Sequence, residues 1–128
     1  MQTLVKIFVV LQLSLTACDG PKAGDPCMPR GGATCSSSTT SLWCEGTLVA
    51  FNCPGPNGCI SNNQKTLCDF RGTQAGAACP EAQLGNAFCV DKEFFKCESS
   101  GVTSFGQAWT SKTCATSCSS NGSTVTCN

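Results

Sequence analysis

Hydrophobic residues follow two different patterns along this chain. Residues Ile7 to Leu15 form one mostly apolar run, which comes directly after Lys6. Beyond residue 18 the apolar positions fall into short stretches separated by Gly, Pro, Asn and Ser. No stretch of this later part shows sustained helical periodicity. The pattern therefore predicts a mainly β structure of short hairpins with extensive loops.

Two hairpins are predicted from apolar stretches that flank short polar turns. Each consists of a strand, a polar turn and a second strand: Ser41–Cys44, Glu45-Gly46 and Thr47–Phe51 in the first, and Ala87–Val90, Asp91-Lys92-Glu93 and Phe94–Cys97 in the second. Two further segments are candidate closing strands, Lys65–Cys68 and Ser123–Cys127. The Gly- and Pro-rich segment from Pro54 to Gly58 predicts a tight, irregular turn.

Composition sharpens this prediction to a small, disulfide-rich fold. The chain has 128 residues, of which 13 are cysteine, and its formal net charge is zero. Such a cysteine density in a short chain is typical of an exported disulfide scaffold. Charged residues make up only 12% of the sequence, so no basic patch predicts a nucleic-acid partner.

Twelve of the cysteines fall into two sets of six with similar spacing, listed here in chain order: Cys27, Cys35, Cys44, Cys53, Cys59 and Cys68, then Cys79, Cys89, Cys97, Cys114, Cys118 and Cys127. The spacing predicts a tandem duplication, with a first module over 27–70, a linker over 71–78 and a second module over 79–128. Eight extra residues separate the third and fourth cysteines of the second set, and Ser99 to Gly106 is the predicted inserted loop.

Disulfide bonds are expected to supply the stability that such small modules cannot obtain from a core. Six cysteines allow 15 pairings in each module, so the spacing leaves the connectivity open. Because a duplication implies self-contained units, we expect every bridge to stay within its own module.

The first eighteen residues carry an export signal. The apolar run is far shorter than the roughly 20 residues that span a bilayer, and it ends at Leu15-Thr16-Ala17-Cys18. This tetrapeptide resembles the bacterial lipobox, which implies a signal peptide over 1–17 and acyl chains such as palmitate on Cys18. Segment 18–26 would then be the lipidated cysteine and a short tether to a membrane.

Two other interpretations of this segment are weaker. Ordinary signal peptidase would need a small residue where Leu15 stands, and a buried helix would need an apolar partner. Cysteine parity favours lipidation, because removing Cys18 from the count leaves twelve cysteines, an even number.

Beyond the lipobox, the chain resembles cysteine-rich repeat lipoproteins of myxobacteria. The residues that carry this resemblance are Gly24-Asp25-Pro26-Cys27, Trp43-Cys44, the segment from Cys53 to Cys59, and Cys68-Asp69. The second module departs from it, with Cys114-Ala115-Thr116-Ser117-Cys118 in place of the Gly-rich turn. The resemblance implies a location and an architecture but no activity.

Candidate catalytic and metal sites are sparse. The sequence has no histidine and no Cys-x-x-Cys pair, which argues against zinc, redox and hydrolytic sites alike. We therefore expect no cofactor, no metal and no enzyme activity. The weakest hypothesis is a glycan-processing enzyme that uses Asp91 and Glu93, although short polar turns commonly contain acidic residues.

The aromatic side chains are the remaining candidates for binding. Most are expected in the core, while Phe105 and Trp109, in or beside the inserted loop, are candidate ligand-binding residues for a glycan or a protein. We expect a non-enzymatic, lipid-anchored envelope protein with a binding, adhesion or structural role. It would face the periplasm or the cell surface. The alternative is a secreted toxin or enzyme inhibitor that acts through the loop 99–106.

Overall fold

A computed structural model describes residues 19–63, 65–101, 103–121 and 124–128. Its first half contains a three-stranded antiparallel sheet in the order β1-β2-β3, followed by a two-stranded hairpin, β4-β5. The strand bounds are Ala33–Cys35 (β1), Thr40–Cys44 (β2), Leu48–Asn52 (β3), Cys59–Asn62 (β4) and Lys65–Cys68 (β5).

The second half repeats this arrangement. A short 3-10 helix over Glu81–Gln83 precedes a three-stranded sheet in the order β6-β7-β8 and a hairpin of β9 and β10. The strand bounds are Ala87–Val90 (β6), Glu93–Ser99 (β7), Gln107–Thr113 (β8), Cys118–Asn121 (β9) and Thr124–Cys127 (β10). The described residues contain no α-helix. The predicted mainly β, disulfide-rich fold is confirmed.

Disulfide connectivity is the same in both modules. Within each set of six, the first cysteine pairs with the third, the second with the fifth and the fourth with the sixth. The bonds are Cys27–Cys44, Cys35–Cys59 and Cys53–Cys68 in the first module, and Cys79–Cys97, Cys89–Cys118 and Cys114–Cys127 in the second. Each of the six bridges joins two cysteines of the same module, as the duplication predicted.

Backbone hydrogen bonds match between the modules as well. The Gly24 amide donates to the Leu48 carbonyl at 2.7 Å, and the Gly76 amide donates to the Trp109 carbonyl at the same 2.7 Å. Next to these bonds, Pro26 forms an isolated bridge to Thr47, directly before β3, and Ala78 forms one to Ala108 of β8. The last residues of the predicted tether and of the predicted linker are therefore folded parts of the modules.

Both predicted hairpins are present, with small shifts at their ends. The strands β2 and β3 start at Thr40 and Leu48, and the second hairpin turns through Asp91 and Lys92 only, because Glu93 already pairs with Val90. The closing strand β5 matches its predicted bounds, and β10 begins at Thr124.

The inserted segment lengthens the hairpin between β7 and β8. Ser99, predicted as loop, is the last residue of β7 and pairs with Gln107. Phe105, further along the insert, contacts the first module, and the centroid of its ring lies 5.9 Å from that of the Phe51 ring. The insert thus bridges the two modules.

One hydrophobic core is shared by both modules. Side chains alternate across the pleated strands, so one face of the β1-β2-β3 sheet can pack against one face of the β6-β7-β8 sheet. The buried cluster consists of Trp43, Phe51 and Phe70 from the first module and Cys79, Phe95, Cys97 and Trp109 from the second. We call the two sheet faces that carry these buried side chains the inner faces of the two modules.

Polar contacts add to this interface at its edge. The Arg30 guanidinium pairs with the Glu81 carboxylate at 2.7 Å, and the Glu81 amide donates to a Glu45 carboxylate oxygen, also at 2.7 Å. Because Arg30 and Glu81 are at least half exposed, this ion pair adds little to stability and mainly fixes how the modules meet.

Candidate functional site

A cleft of about 710 Å³ opens where the two modules meet. Clefts between packed units are common ligand sites, because two units can present side chains toward one space. The lining residues come from the end of the first module and from several elements of the second: Cys68, Asp69, Phe70, Arg71, Gln83, Gly85, Asn86, Ala87, Phe88, Phe94, Lys96, Trp109, Thr124 and Val125.

An ion pair forms one wall of the cleft. Asp69 follows β5, and its carboxylate accepts hydrogen bonds from Arg71 Nε at 2.9 Å and Arg71 Nη2 at 2.7 Å. The backbone amides of Asn57 and Arg71 donate to the same carboxylate, each at 3.1 Å. The Asp69 side chain is only 10% exposed, so this polar group lies inside the wall and has partners on both oxygens.

These contacts fix the charge of Asp69. The hydrogen bonds from the Arg71 side chain, helped by the two backbone amides, lower the pKa of Asp69 from 3.8 to about 2. The same pairing raises the pKa of the Arg71 guanidinium. Near neutral pH, Asp69 is therefore an ionised hydrogen-bond acceptor and holds no proton to give to a substrate.

Aromatic rings form a rigid part of the cleft. The Phe88 ring stacks on Phe95 at 5.1 Å and 8° and meets Trp109 edge-on at 5.0 Å. Phe70, which belongs to the first module, contacts Trp109 with their ring centroids 5.2 Å apart. Because offset and edge-on aromatic contacts hold each ring in place, the half-buried Phe88 presents a fixed apolar surface.

Amide and amino groups surround these rings. The Asn86 side-chain amide donates to the Gln83 side-chain oxygen at 3.0 Å, which leaves the Asn86 oxygen and the Gln83 amide nitrogen as further hydrogen-bonding groups. Lys96 pairs with Glu98 at 3.1 Å, and this contact, with the Thr110 hydroxyl, lowers the pKa of Glu98. The cleft therefore combines ring surfaces with donors and acceptors of both charges.

The two predicted binding residues have different positions. Trp109 is 1% exposed and belongs to the shared core, so the expectation that it lies outside the core is wrong, although it also lines the cleft. It sits on the inner face of β8, where the first module covers it. Phe105 is 44% exposed and lies in the inserted loop, apart from the residues that line the cleft.

The acidic pair considered for catalysis is divided between a turn and a strand. Asp91 is exposed in the β6–β7 turn, while the Glu93 carboxylate accepts a hydrogen bond from the Thr113 hydroxyl of β8. Neither residue lines the cleft. Cys18, the predicted lipidation site, lies outside the described residues.

Of the residues that line the cleft, only Trp109 was predicted from the sequence as a binding residue. Arg71 lay in the predicted linker, and Gln83 and Asn86 lay in a segment with no predicted element. The only signal was Asp69 directly after the sixth cysteine, a position that the second module fills with Asn128.

No protein-family description, curated protein sequence or solved structure matches this chain. No helix within the described ranges is long and apolar enough to cross a membrane, and no group of three potential metal-ligating side chains occurs there. The disulfides are typical of an exported or extracellular protein.

Proposed function

We propose that this chain is a non-enzymatic, lipid-anchored binding protein of the cell envelope. Acyl chains on Cys18 would hold it at a membrane, and the cleft between the modules would take a glycan ligand. The cleft is the observation that carries the binding function. The sequence Leu15-Thr16-Ala17-Cys18 carries the anchor.

Disulfide pairing supports the anchor. The six bridges use all twelve cysteines from Cys27 to Cys127, so none of them is available for a bond to Cys18. A lone thiol in an exported chain calls for a modification or an intermolecular partner. Lipidation at a lipobox is such a modification.

Phase partitioning in Triton X-114 tests the anchor. The wild-type chain is expected in the detergent phase and the Cys18→Ala variant in the aqueous phase, because two or more acyl chains are needed for stable membrane binding. Asp19→Asn is the matched control, since it changes the neighbouring residue and keeps the thiol. Detergent partitioning of Cys18→Ala would contradict the proposal, as would an intact mass without acyl groups.

The chemistry of the cleft favours a glycan over other small ligands. A sugar ring has C–H faces that pack on an aromatic ring, as Phe88 offers, and hydroxyls that hydrogen-bond to planar polar groups. Arg71, Asn86 and Gln83 supply such groups within the same cleft. Besides Arg71, the charged residues that line the cleft are Asp69 and Lys96. Each of them already pairs with a residue of opposite charge, which favours a neutral ligand.

Binding to immobilised hexose and N-acetylhexosamine oligosaccharides tests whether the cleft takes a glycan. We expect Asn86→Ala to weaken binding about fivefold to tenfold, since a lost hydrogen bond costs about 1 kcal/mol. Asn62→Ala is the matched control, because Asn62 is an equally exposed amide on the β4–β5 hairpin and does not line the cleft. Equal binding by both variants, or no binding to any oligosaccharide, would refute the glycan assignment.

The inserted loop supports a second candidate function. Phe105 exposes 44% of its surface near the end of this loop, which suits insertion into a partner protein, as in an inhibitor. Phe105→Ala would then abolish inhibition of the target and leave oligosaccharide binding unchanged. The reverse result would leave the cleft as the site.

A further inference from the structure

The register of the two sheets aligns the modules residue by residue. Cys44 pairs with Leu48 in the first module, and Cys97 pairs with Trp109 in the second. Counting outward from these pairs, Trp43 and Val49 correspond to Lys96 and Thr110. By the same count, Ser41 and Phe51 correspond to Phe94 and Lys112.

In the first module these positions form the contact with the second module. Trp43 and Phe51 are 6% and 5% exposed and belong to the shared core. The two modules therefore stack head to tail, with this face of one sheet against the opposite face of the next. Such a contact uses two different surfaces and could in principle continue from one copy to another.

In the second module three of the four corresponding positions are polar, while Phe94 stands where the first module has Ser41; Thr110 and Lys112 are exposed, and Phe94 and Lys96 are half-buried. Lys96 and Lys112 replace the Trp and Phe, and Thr110 replaces the Val. The Glu98 carboxylate holds Lys96 at 3.1 Å and accepts the Thr110 hydroxyl at 3.0 Å, while Lys112 is exposed. We call Phe94, Lys96, Thr110 and Lys112 the outer face of the second module; Phe94 and Lys96 also line the cleft between the modules. The outer face borders a shallow groove of about 400 Å³.

The face of the first module that lies opposite its inner face also carries smaller side chains than its counterpart in the second module. The aromatic residues with which the second module contacts the first are Phe88, Phe95 and Trp109, and their counterparts in the first module are Thr34, Leu42 and Leu48. Each of these three rings is thus replaced by a smaller or polar side chain in the first module, where Leu42 is 2% exposed and Thr34 and Leu48 are half-buried.

We propose that the outer face of the second module is a closing surface that ends the stack and keeps two copies of this chain from joining head to tail. Burying Lys96 and Lys112 against another sheet would remove two charged groups from water, and Lys112 forms no ion pair among the described residues. Terminal units of repeat proteins require such polar outer faces to remain soluble. The partner that this surface excludes is the first module of a second copy.

Restoring the aromatic residues tests this proposal. The double variant Lys96→Trp/Lys112→Phe recreates the contact surface of the first module on the second. In sedimentation velocity of the full chain over a hundredfold concentration range, the wild type should remain monomeric. The double variant should self-associate, with its average mass at least about doubling at the highest concentration.

Matched variants separate a specific contact from general stickiness. Lys65→Trp/Lys92→Phe places the same two aromatic residues at exposed lysines outside the outer face, and this variant should remain monomeric. Ala50 is exposed and pairs with Leu42 on the other end of the stack, so Ala50→Glu in the double variant should reverse the association.

Several outcomes would overturn the proposal. These are self-association of the wild type that Lys112→Glu abolishes, a folded double variant that stays monomeric, and association that Ala50→Glu does not change. If the double variant fails to form its six disulfides, Lys112→Phe alone provides the test, since Lys112 is an exposed strand residue. That single variant should associate more weakly but still in proportion to concentration, and a monomer at every concentration would refute the closing role.

Discussion

Asp69 anchors the turn between the fourth and fifth cysteines of the first module. Its backbone carbonyl accepts the Gly55 amide at 2.9 Å, its amide donates to the Gly58 carbonyl at 2.9 Å, and its carboxylate receives four hydrogen bonds from Asn57 and Arg71. The negative charge on the carboxylate is therefore part of the folded structure. Replacing it with a neutral amide of the same shape tests how much that charge contributes.

The size of the effect follows from the pKa. Folding lowers the pKa of Asp69 from 3.8 to about 2, and each pKa unit corresponds to 1.36 kcal/mol, so the ionised form adds about 2 kcal/mol to the free energy of unfolding. Because the folded pKa lies below the unfolded one, this contribution is fully present above about pH 4. It is lost as the pH falls through about 2.

Urea unfolding of the wild type and Asp69→Asn from pH 7 to pH 1.5 measures this contribution. Fluorescence reports the transition, because Trp43 and Trp109 are both buried. We expect Asp69→Asn to be less stable by about 2 kcal/mol at neutral pH and the difference to vanish near pH 2. Asp91→Asn is the control, since Asp91 is exposed in a turn and Asn tolerates the same positive φ. A difference between wild type and Asp69→Asn that does not change with pH would refute the assignment.

Two further predictions concern buried groups of the core and of a turn. The Trp43 indole donates to the Ser41 hydroxyl at 2.8 Å, whereas the buried Trp109 indole N–H has no hydrogen-bond partner among the described residues. Trp43→Phe should therefore cost about 1–3 kcal/mol more than Trp109→Phe in urea unfolding followed by circular dichroism, and equal costs would contradict this. Gly58 has φ +57, and a Cβ there would overlap the Ser38 carbonyl oxygen. Gly58→Ala should lower the unfolding midpoint strongly, and a wild-type midpoint would show that the turn adapts.

Strands were predictable where apolar residues alternate beside a polar turn. β2 and β3 meet this condition, as do β6 and β7, because each hairpin is encoded by its own local sequence. β9 is not predictable in this way, since Cys118–Asn121 is a cysteine followed by polar residues only. It forms a strand because it pairs with β10 and is tied to β6 through the Cys89–Cys118 bond.

The candidate site was not predictable because it depends on how the modules pack. Trp109 was a reasonable surface candidate as a residue beside an insert, but the first module covers it. Arg71 had no local pattern that marked it, and it becomes a cleft residue only because Asp69 and the second module surround it. Cysteine spacing indicates which segments form a module but carries no information about how one module docks on the next.

Disulfides confined to single modules and a core shared between modules lead to opposite expectations for unfolding. If the bridges dominate, each module should unfold separately, whereas the contacts of Phe70 with Trp109 and of Phe51 with Phe105 should couple them. We expect coupling, because the largest buried side chains of each module lie on the shared face and neither sheet keeps them from water when alone.

Calorimetry of the oxidised chain decides between these outcomes. A single heat-capacity peak with equal calorimetric and van't Hoff enthalpies is expected for coupled modules. Phe70→Ala, which removes a ring at the interface and no disulfide, should lower the midpoint and split the peak if coupling runs through this contact. Two peaks in the wild type, or a Phe70→Ala variant that still unfolds in one step at an unchanged midpoint, would show that the bridges alone define the folding units.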